Sequence, residues 1–238
     1  MSVSAIILAG GRGLRMGGDV PKQYRLMAGL PVLYYSLRAF SVSGVDEIVL
    51  VCGAGDEDYC RSEIVEKFHF FRVSAIVAGG SERVESVYNG LTAAGGEYVL
   101  IHDGARAFIR NSLIDEIINE VKVHDAVITA VPCSDTIKRV SVDGVILDTP
   151  MREELYAVQT PQAFRRDLIM DCYEAYHAAV KGGGSVPAIT DDSMLVERYS
   201  DHPVRMIRGD RSNIKITTPE DLEYGEFLLR GEQSGITD

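Results

Sequence analysis

Positive charge is in short supply in this chain. Its 24 lysines and arginines face 35 aspartates and glutamates, a formal net charge of −11. A surface of that sign repels the phosphate backbone that a general nucleic-acid binder must neutralise. Only six of the 238 residues are lysine, so two that fall inside motifs, Lys22 and Lys215, stand out. Cysteine is scarce as well: Cys52, Cys60, Cys133 and Cys172 show no Cys-x-x-Cys or other metal-ligand spacing. That argues against a structural metal centre and fits free thiols in a reducing cytoplasm. No apolar run approaches the ~20 residues needed to cross a bilayer. No basic segment precedes the first apolar run, so neither a membrane location nor a signal peptide is expected. Internal repeats and low-complexity tracts are absent too. What remains, 46% hydrophobic and 25% charged residues, suffices for one domain with a substantial core, and the whole chain, 1–238, reads as that domain.

The scarce positive charge is concentrated in one place. Residues 12–25 carry Arg12, Arg15, Lys22 and Arg25 against a single acid, Asp19. They are threaded through Gly10, Gly11, Gly13, Gly17 and Gly18, directly after Val3 to Leu8, an apolar β-prone run. Glycines leaving a strand let backbone N–H groups approach an anion closely, because no Cβ intervenes. The loop is neither Gly-x-x-x-x-Gly-Lys-[Ser/Thr] nor Gly-x-Gly-x-x-Gly, since position 16 is methionine. It reads as a phosphate loop of another kind. The bland alternative is a glycine turn needed for steric reasons alone.

Beyond the loop, apolar strands alternate with amphipathic helices. Glu47 to Cys52, Val73 to Ala78, Tyr98 to Ile101 and Ala126 to Val131 read as buried strands. Helices are expected from Pro31, from Asp56 to Phe68, from Glu82 to Ala94, and from an Asn111 cap to about His124. This pattern predicts an α/β fold: a mostly parallel, Rossmann-like sheet with helices on both faces. Ligands of such sheets sit beyond the carboxyl ends of the strands, which places residues 9–25, 79–86 and 103–106 around one crevice. After Asp135 the pattern changes. Thr136 to Val142 and Val145 to Thr149, joined by Asp143-Gly144, predict an inserted β-hairpin arm spanning about 135–155. Leu155 to Phe164 returns to the core, and a helix follows from Arg166 to Val180. Further on, Thr190 is expected to cap a short helix, Ile214 to Thr217 to form a short strand, and Thr218-Pro219-Glu220-Asp221 to box the start of the last helix.

Several residues could carry chemistry. Gly79-Gly80-Ser81-Glu82-Arg83 opens a helix, whose free N–H groups suit an anion or a carbonyl-rich ring, though a plain capped turn has the same look. Asp103 follows a buried strand, so it is aimed at the crevice; it is either a Mg²⁺ ligand beside phosphates or one half of an Asp–Arg pair in its loop. His102 reads as structural, because phosphate esters are already ionised near neutral pH. Thr190-Asp191-Asp192 could hold a metal but more simply stabilises a helix start. Lys215, between two isoleucines, either solubilises an edge strand or points at an anion.

The loop, read with Pro21-Lys22-Gln23-Tyr24, resembles the signature of sugar-nucleotide pyrophosphorylases and related nucleotidyltransferases, and within them of the cytidylyltransferases that activate polyol phosphates. The ordered set of Gly79-Gly80-x-x-Arg83-x-x-Ser86, His102-Asp103-Gly104-Ala105-Arg106, Gln159-Thr160-Pro161-Gln162, Thr190-Asp191-Asp192 and Asn213-Ile214-Lys215-Ile216-Thr217 is similar to that of one family. It is the 2-C-methyl-D-erythritol 4-phosphate cytidylyltransferases, the CTP-using enzymes of the non-mevalonate isoprenoid pathway. The resemblance spans residues 3 to about 229. It implies transfer of CMP from CTP to the polyol phosphate, with pyrophosphate released. It implies that Leu8, Ala9, Gly10, Gly11, Arg12 and Gly13 bind CTP, residues 9–15 wrapping its triphosphate, and that Gly80, Arg83 and Ser86 meet the cytidine. Arg15, Lys22, Arg152 and Lys215 would be catalytic, Asp103 would lie at Mg²⁺, and Arg106, Thr136, Thr160 and Thr190 would surround the phosphate substrate. Thr136 and Arg152 would act from the hairpin arm on a partner subunit's site, which implies a homodimer. Ala107 stands where the family usually has proline, and Pro150-Met151-Arg152 replaces its commoner Val-Asp-Arg. The Leu8-Ala9-Gly10-Gly11 opening is shared with ribitol 5-phosphate cytidylyltransferases, and a nucleotide-binding regulator on the same fold is the reading from another class.

Overall fold

A computed structural model describes residues 1–11, 16–17, 20–183 and 186–233, with side chains as far as residue 231. Its centre is strand β1 (Val3–Ala9), flanked by β4 (Glu47–Cys52) and β6 (Tyr98–Asp103), both parallel to it. The reason lies in the sequence of β1 itself. Ala5, Ile7 and Ala9 enter one core with helices α1 (Val32–Ser41) and α4 (Asn111–His124); Ile6 enters the other, with α3 (Arg83–Ala93) and α5 (Arg166–Lys181). A strand buried on both faces needs apolar residues at every position, so it reads as a continuous run rather than an alternation.

Before α1, the two-residue strands β2 (Leu26–Met27) and β3 (Leu30–Pro31) form a small separate ladder. The main sheet has seven strands, in the order β11-β7-β10-β6-β1-β4-β5. Strand β5 (Val73–Ala78) runs parallel to β4, and β11 (Arg205–Arg208) parallel to β7 (Ala126–Pro132), while β10 (Tyr156–Arg165) is antiparallel to both β6 and β7. The register of β10 shifts between Val158 and Gln162. That irregularity frees Gln159 and Thr160 from the regular ladder and turns them toward the site. The arm is present as a minimal ladder, β8 (Arg139–Val140) against β9 (Ile146–Asp148), turning through Gly144 at φ 82°.

Local chemistry departs from the simplest sequence expectations in four places. Asn111 does not cap α4: its amide donates to Ala39 O at 2.6 Å, tying α4 to α1 instead. The segment after Asp56 begins as a short α2 (Glu57–Tyr59) and widens into a π-helix over Cys60–Glu66. Thr190 does not cap the next helix, α6 (Ser193–Tyr199); its hydroxyl turns to Met194 Sδ, and the Asp191 carboxylate takes the Met194 N–H at 3.2 Å. Residues 214–217 form no strand, because Thr217 N–H is taken by the Asp221 side chain at 2.8 Å. The capping box of the last helix, α7 (Pro219–Gln233), is reciprocal: Thr218 N–H donates to Asp221 Oδ2, and Asp221 N–H to Thr218 Oγ1.

No described helix is long and apolar enough to cross a membrane. One packing contact is tight enough to predict from. A Cβ on Gly90, in α3, would lie 2.5 Å from Ile6 Cγ2 and 3.0 Å from Val51 Cγ2. Replacing a helical glycine by alanine ordinarily stabilises by about 0.5–1 kcal/mol. Overpacking a core costs about 1–3 kcal/mol, and here it wins. Gly90→Ala is expected to lower the unfolding free energy by about 1–2 kcal/mol, measured by urea denaturation.

Candidate active site

Four parallel strands end side by side, and their following residues interlock. Gly79 N–H donates to Cys52 O at 2.7 Å, and Gly104 N–H to Leu8 O at 2.9 Å. A Cβ on Gly10 would stand 3.1 Å from Cys52 O, so the glycine lets the chain leave β1 against the end of β4. Gln23 then donates to Ala9 O at 2.5 Å and Tyr24 contacts Cys60 Sγ and Asp56, so the single turn Lys22–Tyr24 is anchored on both sides of β1. Arg12, Gly13 and Arg15 lie outside the described residues.

Beyond these strand ends lies a cavity of about 490 Å³, and six of the expected residues line it: Arg83, Asp103, Arg106, Thr160, Thr190 and Lys215. They come from sequence positions up to 132 residues apart, and only the folded arrangement of strand ends and the segments packed on them brings them together. Asp103 is the centre. Lys215 Nζ lies 2.7 Å from its Oδ2, Arg83 Nε 3.6 Å from Oδ1, and Arg106 Nε 4.0 Å from Oδ2. Burial alone pushes the Asp103 pKa up. The charges of Arg83 and Lys215, the Lys215 hydrogen bond and Arg106 outweigh burial and hold the carboxyl far below its usual range. It is therefore ionised throughout the neutral range.

Lys215 owes its direction to its neighbours. Ile216 is fully buried and its N–H donates to Ala105 O at 2.8 Å. Asn213 donates its amide to Thr160 O at 2.9 Å and accepts Arg106 Nη1 at 2.8 Å on its own carbonyl. With both flanks pinned, the lysine points at the anion rather than at solvent. The Gln159 amide holds the preceding turn through Asp210, donating to its carbonyl at 2.8 Å. Nothing in the sequence singled out Gln159 or Asn213 for this bracing; only the spatial approach of β10 and residues 209–213 shows it.

Arg83 is gripped by a second carboxylate, Asp192, through two parallel bonds of 2.8 and 2.9 Å. Burial by itself lowers the Arg83 pKa, and Asp192 and Asp103 more than reverse this. Gly80 N–H donates to Ser86 Oγ at 3.0 Å, and that hydroxyl donates on to Glu82 O at 3.0 Å, which shapes the turn into α3. Thr136 and Arg152 do not line the cavity of their own chain: both are exposed on the arm side, where Arg152 Nη1 donates to Ser134 O at 3.3 Å. Ala107 is buried in a small core with Phe108 and Ile216 rather than facing the cavity, and Met151 is exposed.

His102 is structural, as its sequence context predicts. Its Nε2 lies 3.2 Å from Arg106 O and Nδ1 3.1 Å from Thr160 Oγ1, which in turn accepts Asp103 N–H at 3.0 Å. A neutral ring with the proton on Nε2 satisfies all of these contacts. Burial brings its pKa down to about 4, below an ordinary value near 6.5. The unfolded chain therefore takes up this proton first, so stability contributed by the neutral ring is intact above pH ~6.5 and falls as pH drops from there toward about 4. Between pH 7 and pH 5 the expected loss from His102 is about 2 kcal/mol. His102→Asn should flatten that slope in denaturation curves taken at both pH values; an unchanged slope would place the titration elsewhere.

Comparison with known proteins fits this geometry. The family described as 2-C-methyl-D-erythritol 4-phosphate cytidylyltransferase matches residues 3–231. The chain belongs to that family. A curated cytidylyltransferase of that name from Lachnoclostridium phytofermentans is 43% identical over 238 residues, 98% of this chain and 99% of the relative. Another from Clostridium botulinum is 46% identical over 229 residues, 95% of this chain and 99% of the relative. The crystal structure of the 4-diphosphocytidyl-2C-methyl-D-erythritol synthase from Anaerococcus prevotii superposes with a TM-score of 0.83 at 38% identity, covering 96% of both chains. The Thermus thermophilus cytidylyltransferase superposes with a TM-score of 0.75 at 28% identity, covering 97% of this chain and 100% of that one. The cytidylyltransferase fold of this chain is thus the α/β sheet its strand pattern predicted.

Proposed function

We propose that the protein transfers CMP from CTP to 2-C-methyl-D-erythritol 4-phosphate, giving 4-diphosphocytidyl-2-C-methyl-D-erythritol and pyrophosphate. The observation that carries this reading is the convergence of Arg83, Arg106 and Lys215 on Asp103 in one cavity of an otherwise acidic protein. An oxygen of the substrate phosphate attacks the α-phosphorus of CTP; that P–O bond forms as the bond to the pyrophosphate oxygen breaks. No covalent enzyme intermediate is needed. The barrier is largely repulsion between two polyanions and charge growth at the α-phosphate, and positioned cations oppose both.

In this reading residues 8–13 hold the triphosphate, with Gly80, Arg83 and Ser86 at the cytidine. Arg15, Lys22 and Lys215 stabilise charge in the transition state. Arg106, Thr160 and Thr190 receive the polyol phosphate, and the Thr160 hydroxyl also fixes the Asp103 backbone. Among the described residues no group of three or more His, Cys, Asp or Glu side chains could hold a metal. The donor set instead suits Mg²⁺, which commonly takes one or two carboxylates and completes its shell with phosphate oxygens; Asp103 is the carboxylate that fits. When bound, the ion would neutralise phosphate charge. The arm exposes Val140, Val142, Val145, Ile146 and Leu147. We assign that apolar surface to a second copy of the chain, whose site Thr136 and Arg152 would complete, in a cytoplasmic homodimer.

The test is pyrophosphate release with CTP and Mg²⁺, offering 2-C-methyl-D-erythritol 4-phosphate and ribitol 5-phosphate in parallel. Release with the first is expected, and EDTA should stop it. Release only with ribitol 5-phosphate would keep the mechanism and change the substrate. Silence with both, from folded protein that still binds CTP, would favour a regulatory role.

A further inference from the structure

Arg83 has open space on two sides. It lines the cavity of about 490 Å³ and also a second one of about 530 Å³, between the start of α3 and the end of α5. Hydrogen bonds fix its guanidinium between them. Asp192, fully buried, accepts Nη1 at 2.9 Å on Oδ1 and Nη2 at 2.8 Å on Oδ2. This two-bond pairing fixes the plane of the guanidinium as well as its position.

The carboxylate is itself held from behind. The buried Tyr173 hydroxyl donates to Asp192 Oδ1 at 2.8 Å. Gln162, from β10, accepts the N–H groups of Asp192 and Ser193 on its amide oxygen at 3.1 and 3.0 Å, and its amide nitrogen donates to Asp191 Oδ2 at 3.0 Å. Strand β10 thus holds the Asp192 backbone and α5 its carboxylate, whose outward partner is Arg83. On its other side Arg83 presents Nε to Asp103 at 3.6 Å. A positional change at Asp192 passes through a planar, two-point contact to the centre of the cavity.

We infer that Asp192 is a positioning residue of the transfer reaction: it sets the Arg83 guanidinium and, through it, the Asp103 carboxylate. The inference rests on the reading of the cavity given above. A purely architectural Asp192 would staple α6 to α3 and affect only stability, so the test must separate the two roles.

Steady-state pyrophosphate release is measured for the wild type, Asp192→Asn, Arg83→Gln and the double variant, with thermal unfolding alongside. Asp192→Ala is avoided, because it removes every side-chain acceptor from the buried Tyr173 hydroxyl and the Arg83 Nη groups, whereas asparagine keeps one oxygen there. Asp192→Asn is expected to lower kcat/KM for CTP on the order of 10–10²-fold, the scale of a small misplacement of a catalytic group. The double variant is expected to be no worse than Arg83→Gln alone, since the effect of Asp192 passes through Arg83. Tyr173→Phe is expected to reduce the same parameter roughly 2–10-fold, again without adding to Arg83→Gln. It carries the test if Asp192→Asn fails to fold. Additive losses, or a lowered unfolding temperature with unchanged kinetic constants, would overturn the role of Asp192 and leave the functional reading standing. Silence from the wild-type protein would overturn both.

Discussion

Asp103→Asn is expected to lower kcat by about 10²–10³-fold, the usual consequence of removing one preorganised electrostatic contact. The side chain keeps its shape, and its backbone N–H still donates to Thr160, so the loop itself should survive. What changes is charge. Arg83, Arg106 and Lys215 surround Asp103, and Asp192 faces Arg83 from the other side; the five groups sum to +1. With asparagine the sum becomes +2, and the three cations lose the one anion on which they all converge. They would then repel one another and leave the arrangement that a triphosphate and a phosphate monoester require. Lys215→Ala should fall in the same range, because Lys215 makes the shortest of the three contacts, 2.7 Å. Rates within about threefold of wild type for Asp103→Asn would show that this convergence is structural only, given the 10²-fold scale of such contacts. The measurement is initial-rate pyrophosphate release at saturating concentrations of both substrates, with unfolding temperatures recorded for each variant.

Lys22→Ala and Arg15→Ala are expected to lose turnover on the same scale, about 10²–10³-fold, whereas Arg152→Ala should chiefly raise KM for the phosphate substrate. The distinction follows from where each charge is held. Lys22 sits in a turn whose next two residues are pinned, Gln23 to the end of β1 and Tyr24 to Asp56 and Cys60. A cation fixed in that way can oppose charge that grows during the reaction without reorganising first. Arg152 is exposed beside the arm, where its guanidinium donates to Ser134 O. It fits a role in gathering the substrate of a neighbouring subunit. Varying each substrate at fixed saturation of the other separates kcat from KM. Equal effects on both parameters in all three variants would sink the division of roles.

The fold was written plainly in the sequence where burial was two-sided. Glu47–Cys52 and Val73–Ala78 are strands over the ranges their apolar runs predict, and Asn111–His124 is a helix over its predicted span. Such segments have one low-energy environment, so their local pattern and their tertiary role coincide. Three of the four shortfalls involve side chains that had a choice. Asn111 and Thr190 are good capping residues, yet each found a partner outside its own helix start, in Ala39 O and Met194. Residues 214–217 have strand composition, but Asp221 and Ala105 supply other partners for their backbone. Local propensity loses wherever a long-range partner satisfies the same group better.

The site divides in the same way. Six of the residues that the motifs singled out, from Arg83 through Asp103 to Lys215, line one cavity, so their meeting was legible in the sequence. Which cation meets which carboxylate was not legible. Asp192 could equally have been a helix-start residue, and Lys215 a solubilising one; only the packing of α6 and the 213–216 segment against β6 and β10 decides that they face Arg83 and Asp103. The sequence by itself determined a two-sided sheet and a family, and it offered the glycine loop as the place for a phosphate. The tertiary structure alone decided the pairing of charges, because a pairing depends on distances of a few ångströms between residues that no local interaction relates.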